Sequence, residues 1–143
     1  MLLELQDRLK TLIEADGYFA GICVITERRG DINTLIATAL SKIKFAVVVA
    51  TAAGESDSNQ DEAVWTERLQ IAVFQMPVTD DERETRNAVV AIEKIIQAVH
   101  GQPVEVDSEG PDVFTCLSHQ PGENTGMPSH LINVTTRVQL TNP

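Results

Sequence analysis

Hydrophobic residues along this 143-residue chain recur with two different periods, and the clearest switch between them lies in the stretch 65–101. From Glu67 to Gln75, Leu69, Ile71 and Val73 alternate with Arg68, Gln70, Ala72 and Phe74. That period of two predicts a strand with one fully buried face. Pro77 has no amide donor and marks the exit from the ladder. Thr79-Asp80-Asp81-Glu82 then spells a capping box. The Thr79 hydroxyl can accept from the third helical amide, and Glu82 can reach back to the amide of Thr79. Ala88, Ala91, Ile92, Ile95, Ile96 and Val99 follow at helical spacing, and Gly101 is placed to end the helix in a left-handed conformation. The expectation is a long covering helix capped at Thr79 and closed at Gly101.

The same reading applies from the start of the chain. Leu2, Leu5, Leu9, Leu12 and Ile13 repeat at threes and fours, which predicts a first amphipathic helix over residues 2 to 15. Asp16-Gly17 is a stop. Gly21 to Thr26 reads as a short apolar strand, and Asp31 can cap a second helix carrying Ile32, Leu35, Ile36, Ala39, Leu40 and Ile43. Phe45 to Thr51 is apolar on both faces, as a strand covered from both sides requires. The polar, acidic run Gly54 to Ala63 reads as a loop, because it lacks the apolar area to offset its ordering entropy. Val113 to Ser118 predicts another strand, 119 to 129 a long turn rich in Gly and Pro, and Leu131 to Leu140 a closing strand. Two strands joined by a turn suggest an antiparallel hairpin. The order α-β-α-β-β-α-β-β predicts one α+β domain over residues 1–143. Its sheet is mostly antiparallel, of about five strands, with an N-terminal helix and a long covering helix.

Composition narrows the class. A net charge of -10 argues against a specific nucleic-acid surface, which needs cations to neutralise phosphates. No signal-peptide pattern opens the chain and no apolar run is long enough to span a bilayer, so no membrane partner is expected. Cys23 and Cys116 fall in strand-like segments and read as reduced, buried and inert thiols of a cytosolic protein, with a bridge between them left open.

Candidate chemistry is sparse. Asp57, Asn59 and Asp61 mimic the start of an EF-hand loop, but no glycine follows at the sixth position and no glutamate at the twelfth. His100, His119 and His130 show no ligand spacing of a zinc site and read as surface histidines. His100, at a helix C-terminus, has an electrostatic reason to be there. Cys116 and His119 are a conceivable nucleophile pair without a supporting local pattern. No nucleotide-binding or nucleophile-elbow motif is present, so neither enzyme activity nor a cofactor or metal is expected. Arg28-Arg29 reads either as a solvated turn or as an anion or partner contact.

The leucine helix, the apolar central strand, the acidic stretch, the alternating strand and the T-x-x-E cap occur in a recognisable order. With the connection Gly101-Gln102-Pro103-Val104-Glu105 and the closing hairpin, the chain resembles the small tail-completion proteins of tailed bacteriophages and prophages, the tail-terminator or minor tail group. The helix Asp31 to Lys42 departs from that pattern. The resemblance implies a structural subunit, a virion component assembled in the bacterial cytoplasm. It would close with copies of itself into a ring, possibly a hexamer, that ends the tail tube and meets head-completion proteins. Candidate contacts for such a ring are Arg28 and Arg29 on one side and Glu55, Asp57, Asp61 and Glu62 on the other, with Trp65 as an apolar anchor. The alternative reading is a small cytosolic ligand-binding or regulatory α+β module.

Overall fold

A computed structural model describes residues 2–56, 63–76, 87–104, 112–122 and 129–140, without the side chains of Arg29, Ala63, Val64, Gln139 and Leu140. Its elements are α1 (Leu2–Glu14), β1 (Ile25–Thr26), α2 (Ile32–Ile43), β2 (Phe45–Ser56), β3 (Ala63–Gln75), α3 (Ala88–Val99), β4 (Thr115–Pro121) and β5 (Ser129–Leu140), with 3-10 turns at Gly17–Phe19 and Glu27–Arg29. The order matches the sequence pattern, and the fold is α+β.

The sheet runs β1-β2-β3-β5-β4. β2, β3, β5 and β4 pair antiparallel, while β1 pairs parallel to β2 through Ile25 and Thr26. Parallel neighbours need a crossover, and α2 supplies it. One face of the sheet carries Phe45, Val47, Val49, Leu69, Ile71, Val73, Ile132 and Val134, all buried against Leu5, Leu9 and Ile13 of α1 and Ala91, Ile92, Ile95 and Val99 of α3. Each such aliphatic side chain contributes about 1.5–3 kcal/mol by leaving water. α2 lies on the opposite face over β1 and β2, where Leu40, Ala46 and Val48 are buried. β2 is therefore covered on both sides, as its unbroken apolar run anticipates.

Local chemistry explains most boundaries. Asp16 caps the first 3-10 turn by accepting from the Tyr18 amide at 2.9 Å, and Asp31 caps α2 by accepting from the Thr34 amide at 3.2 Å. Gly101 takes φ +80°, the left-handed conformation that closes α3.

Several expectations need correction. The helix over the sheet begins at Ala88, not near Thr79. Asn87 has extended backbone and caps it by accepting from the amides of Val89 and Val90. The Thr79–Glu82 box lies outside the described residues. β1 is only Ile25–Thr26, because the ladder with β2 starts at Ile25, although Ile22 and Val24 are still buried. β2 extends to Ser56 and β3 starts at Ala63, so Gly54, Glu55 and Ser56 are strand and not loop. His119 and Gln120 likewise belong to β4, held by pairing with Ile132 and Leu131.

Candidate functional site

The most distinctive surface is the far end of β2. β1 pairs with β2 only as far as Val49. The Thr51 amide then donates to the Glu27 carboxylate at 2.7 Å. From Ala52 to Glu55 the strand is exposed and, among the described residues, carries no strand on its outer side, while on its inner side a bulge at Ala52 precedes the pairing of Ala53, Gly54 and Glu55 with β3. Small residues dominate this edge, Ala52-Ala53-Gly54, so another backbone can approach it closely. An exposed strand edge is a template for pairing with another chain. The opposite edge of the sheet, β4, is blunted by a bulge between Cys116 and Ser118 and by Pro121. Leu117 projects there at 58% exposure.

Between these edges the outer face of β3, β5 and β4 has no helix of its own among the described residues. It holds a polar ladder in which Gln70 Nε2 donates to Asn133 Oδ1 at 3.3 Å and Asn133 Nδ2 to Ser118 Oγ at 3.0 Å. Beside the ladder lies a half-buried apolar group, Ala72, Phe74 and Leu131.

The predicted contact residues separate into three groups. Arg28 is exposed, and its guanidinium donates to Asp7 of the same chain at 2.7 and 3.0 Å. Glu55 lies on the open edge, paired with Thr66. Both are at the same end of the sheet, since Glu27 touches Thr51. Asp57, Asp61 and Glu62 lie outside the described residues, as does the side chain of Arg29. Trp65 is half-buried and packs on the core, so only part of it is available to a partner.

Two buried polar groups organise this end, and neither stands out in the sequence pattern. Gln6, on the buried face of α1, is 1% exposed. Its Nε2 donates to Thr51 Oγ1 at 3.0 Å, and its Oε1 accepts from the Glu27 amide at 2.9 Å. Thr26 makes no side-chain cap for the 3-10 turn it precedes, so Gln6 does that work from another element. Glu67 is 4% exposed on the core side of β3, facing Gly54 on β2. A Cβ at position 54 would collide with its carboxylate, so the glycine there makes room for Glu67 and does not form a turn. Burial raises the Glu67 pKa above the ordinary carboxyl value.

The hairpin β4–β5 brings together two histidines that stand eleven residues apart in the chain. His119 Nδ1 and His130 Nε2 are 3.0 Å apart, and both line a cleft of about 450 Å³ whose other wall is α3. Burial, with His119 beside it, lowers the His130 pKa. A turn over 119–129 and a closing strand from Leu131, the reading the sequence pattern favours, leave both histidines outside the ladder, whereas β4 reaches Pro121 and β5 starts at Ser129. His100 accepts the Cys116 amide at 3.0 Å through Nδ1, so its ring ties the end of α3 to β4 in addition to its place at the helix terminus. Burial pushes the Cys116 thiol up to about 11, the reverse of what a nucleophile needs, and His119 is engaged with His130. Cys23 is exposed, not buried, and its sulfur receives the Lys10 ammonium at 3.3 Å. Burial works against the charge on Lys10, but Glu14 and Cys23 outweigh it and raise its pKa. Both cysteines are free thiols.

A second cleft, about 270 Å³, lies between α2 and the segment leading into β1, lined by Ile22, Val24, Ile25, Leu35, Ala39 and Ile43. Among the described residues no three His, Cys, Asp or Glu side chains gather as a metal site, and no helix is long and apolar enough to cross a membrane. No protein-family model matches the chain, and no curated protein matches it.

Proposed function

We propose that this chain is a structural subunit of the phage or prophage tail-completion type, whose copies close into a ring that ends a tail tube and joins it to the head. The observation that carries this reading is the pair of unlike sheet edges. Beyond a bulge between Thr51 and Ala53, the exposed end of β2 is rich in small residues and, among the described residues, has no strand on its outer side, whereas β4 is a different edge, bulged between Cys116 and Ser118 and ending at Pro121. A contact between unlike patches is head-to-tail, and head-to-tail contacts generate rings when the rotation closes. The acidic charge and the order of elements agree with the resemblance. The role is one of assembly and not of catalysis, with itself, the tail tube and head-completion proteins as partners.

Arg28, paired with Asp7, and Glu55 lie at the same end of the sheet, so in a head-to-tail contact they would sit on one patch as rim charges, each facing the neighbour's other edge and not each other. Exposed pairs are worth only about 0–1 kcal/mol each, so backbone pairing and the half-exposed Ala72, Phe74 and Leu131 must supply most of the affinity.

The test is oligomer mass by light scattering against protein concentration, with and without purified tail tubes. Wild type is expected to form a closed oligomer. Ala53→Lys, a charge on the open edge, is expected to return it to monomer without lowering its melting temperature. A wild type that stays monomeric at every concentration, tubes included, would overturn the ring. The apolar cleft beside β1 supports a second reading, a ligand-binding module, but its volume falls just below the ~300–1,000 Å³ usual for small-molecule sites.

A further inference from the structure

Among the described residues Glu67 is the only acid whose side chain is buried. Its backbone carbonyl accepts from Thr135 Oγ1 at 3.2 Å, but no donor among the described residues reaches its carboxylate. No charge balances it either. Gly54 faces it from β2 and Thr136 from β5, and Trp65 and Leu69 flank it on its own strand. By strand alternation Arg68, Arg137 and Glu55 belong to the other face of the sheet. Gln6 of α1 is committed to Thr51 and Glu27. Burial without a partner favours the neutral carboxyl, and burial is the one cause that raises its pKa.

The part of β2 that covers this carboxyl is mechanically separable from the rest of the strand. Thr51 is fastened twice, its hydroxyl by Gln6 at 3.0 Å and its amide by Glu27 at 2.7 Å. Directly beyond it the ladder is interrupted by the bulge between Thr51 and Ala53, where a strand bends. Ala53, Gly54, Glu55 and Ser56 follow, all exposed and paired with β3. Gly54 lies over the carboxyl: a Cβ there would stand 2.9 Å from Cδ and 3.0 Å from Oε2 of Glu67. Leu69, Thr136 and Val138 on the same face are buried, so the short way from the carboxyl to water runs past Gly54.

We propose that Glu67 is a proton-controlled latch for the end of β2: with its carboxyl neutral, Ala53–Ser56 closes on β3, and with its carboxylate ionised, that segment lifts at the Thr51 bulge and admits water to the charge. Opening this segment relieves the charge locally, because Ala53, Gly54, Glu55 and Ser56 are exposed and bury no large side chain. The direction follows from linkage. The folded chain holds the Glu67 proton to higher pH than the unfolded chain does, so the latch is closed below 4.5 and is released as pH rises through the folded value. The residues that lift are those that present the open sheet edge, so the proton controls the shape of that edge. The latch uses one chain only and is independent of the ring reading.

Trp65, the single tryptophan of the chain, pairs with Ser56 and flanks Glu67, so it reports on the latch. The experiment is acrylamide quenching of its fluorescence in the full chain from about pH 5 to about pH 8, above the sequence pI of 4.6, with backbone NMR secondary shifts of residues 45–56 over the same range. In wild type the quenching is expected to rise with pH and Ala53–Ser56 to lose their strand shifts, while Phe45–Val49 keep theirs. Glu67→Gln, of the same size and without a charge, is expected to hold quenching low and the shifts strand-like throughout. Should Glu67→Gln fail to fold, Glu67→Met, uncharged and of similar length, is read the same way. Strand shifts at 53–56 that persist at every pH in wild type would overturn the latch. So would a quenching rise that survives in the uncharged variant, or a loss of strand shifts that takes Phe45–Val49 with it.

Discussion

Replacing Gln6 by leucine sets two physical effects against each other, and their difference decides the sign. Gln6 is 1% exposed in a largely apolar layer. By burial alone, leucine should stabilise the fold: it replaces polar atoms with roughly two more carbon groups, worth about 1.6 kcal/mol at ~0.8 kcal/mol each. Against this stand the two hydrogen bonds at 3.0 and 2.9 Å to Thr51 and Glu27. Removing the side chain orphans the Glu27 amide, at a cost of about 1–3 kcal/mol, while the Thr51 hydroxyl can turn and loses about 1 kcal/mol. The net expectation is a loss of about 0.5–2.5 kcal/mol, or roughly 2–8 °C in melting temperature for a chain of this size. Urea denaturation gives the free energy and thermal melting the shift. Adding Thr51→Val should recover part of the loss, because the second partner is then removed too. Since the clasp fixes the Glu27 turn to the base of the open β2 edge, the proposed ring, if it forms through that edge, should also be weakened by Gln6→Leu. A Gln6→Leu variant as stable as wild type, or more so, would refute the reasoning.

Two further outcomes follow from the titratable groups. Glu67 has a folded pKa raised above 4.5 by burial, so the folded chain holds its proton to higher pH than the unfolded chain does. Its contribution to stability is complete below 4.5 and is lost as pH rises through the folded value. Glu67→Gln should therefore raise the melting temperature at neutral pH and flatten its decline above 4.5; an unchanged pH profile would count against burial as the cause. For the thiols, a maleimide at pH 8 should label Cys23, which is exposed, and leave Cys116, whose pKa is about 11, unlabelled until the chain is denatured. Equal labelling of both in the folded state would contradict the partial burial of Cys116 and its raised pKa.

What the sequence determined by itself is whatever short-range physics governs. The period of two in Leu69, Ile71 and Val73, the helical spacing of Ile92, Ile95 and Val99, the Asp31 cap and the left-handed Gly101 each depend on neighbours within a few residues, and each stands in the fold as the pattern implies. The α+β class and the order of elements follow from them. What only the tertiary structure decided depends on partners far along the chain. Polar composition at 54–56 argued for loop, but cross-strand pairing with residues 65–67 keeps those residues in β2. The turn at Glu27 is capped from α1, twenty-one residues earlier, and no local signal announces that. His119 and His130 meet because the β4–β5 register places them diagonally, and a one-residue slip would turn one ring to the other face of the sheet. Glu67 reads as a polar position at the start of an alternating strand. Its burial against Gly54 is settled by the bulge between Thr51 and Ala53, which shifts the β2 residues that face it. Such features are set by register and packing between distant segments, quantities that the local pattern of a single chain does not contain.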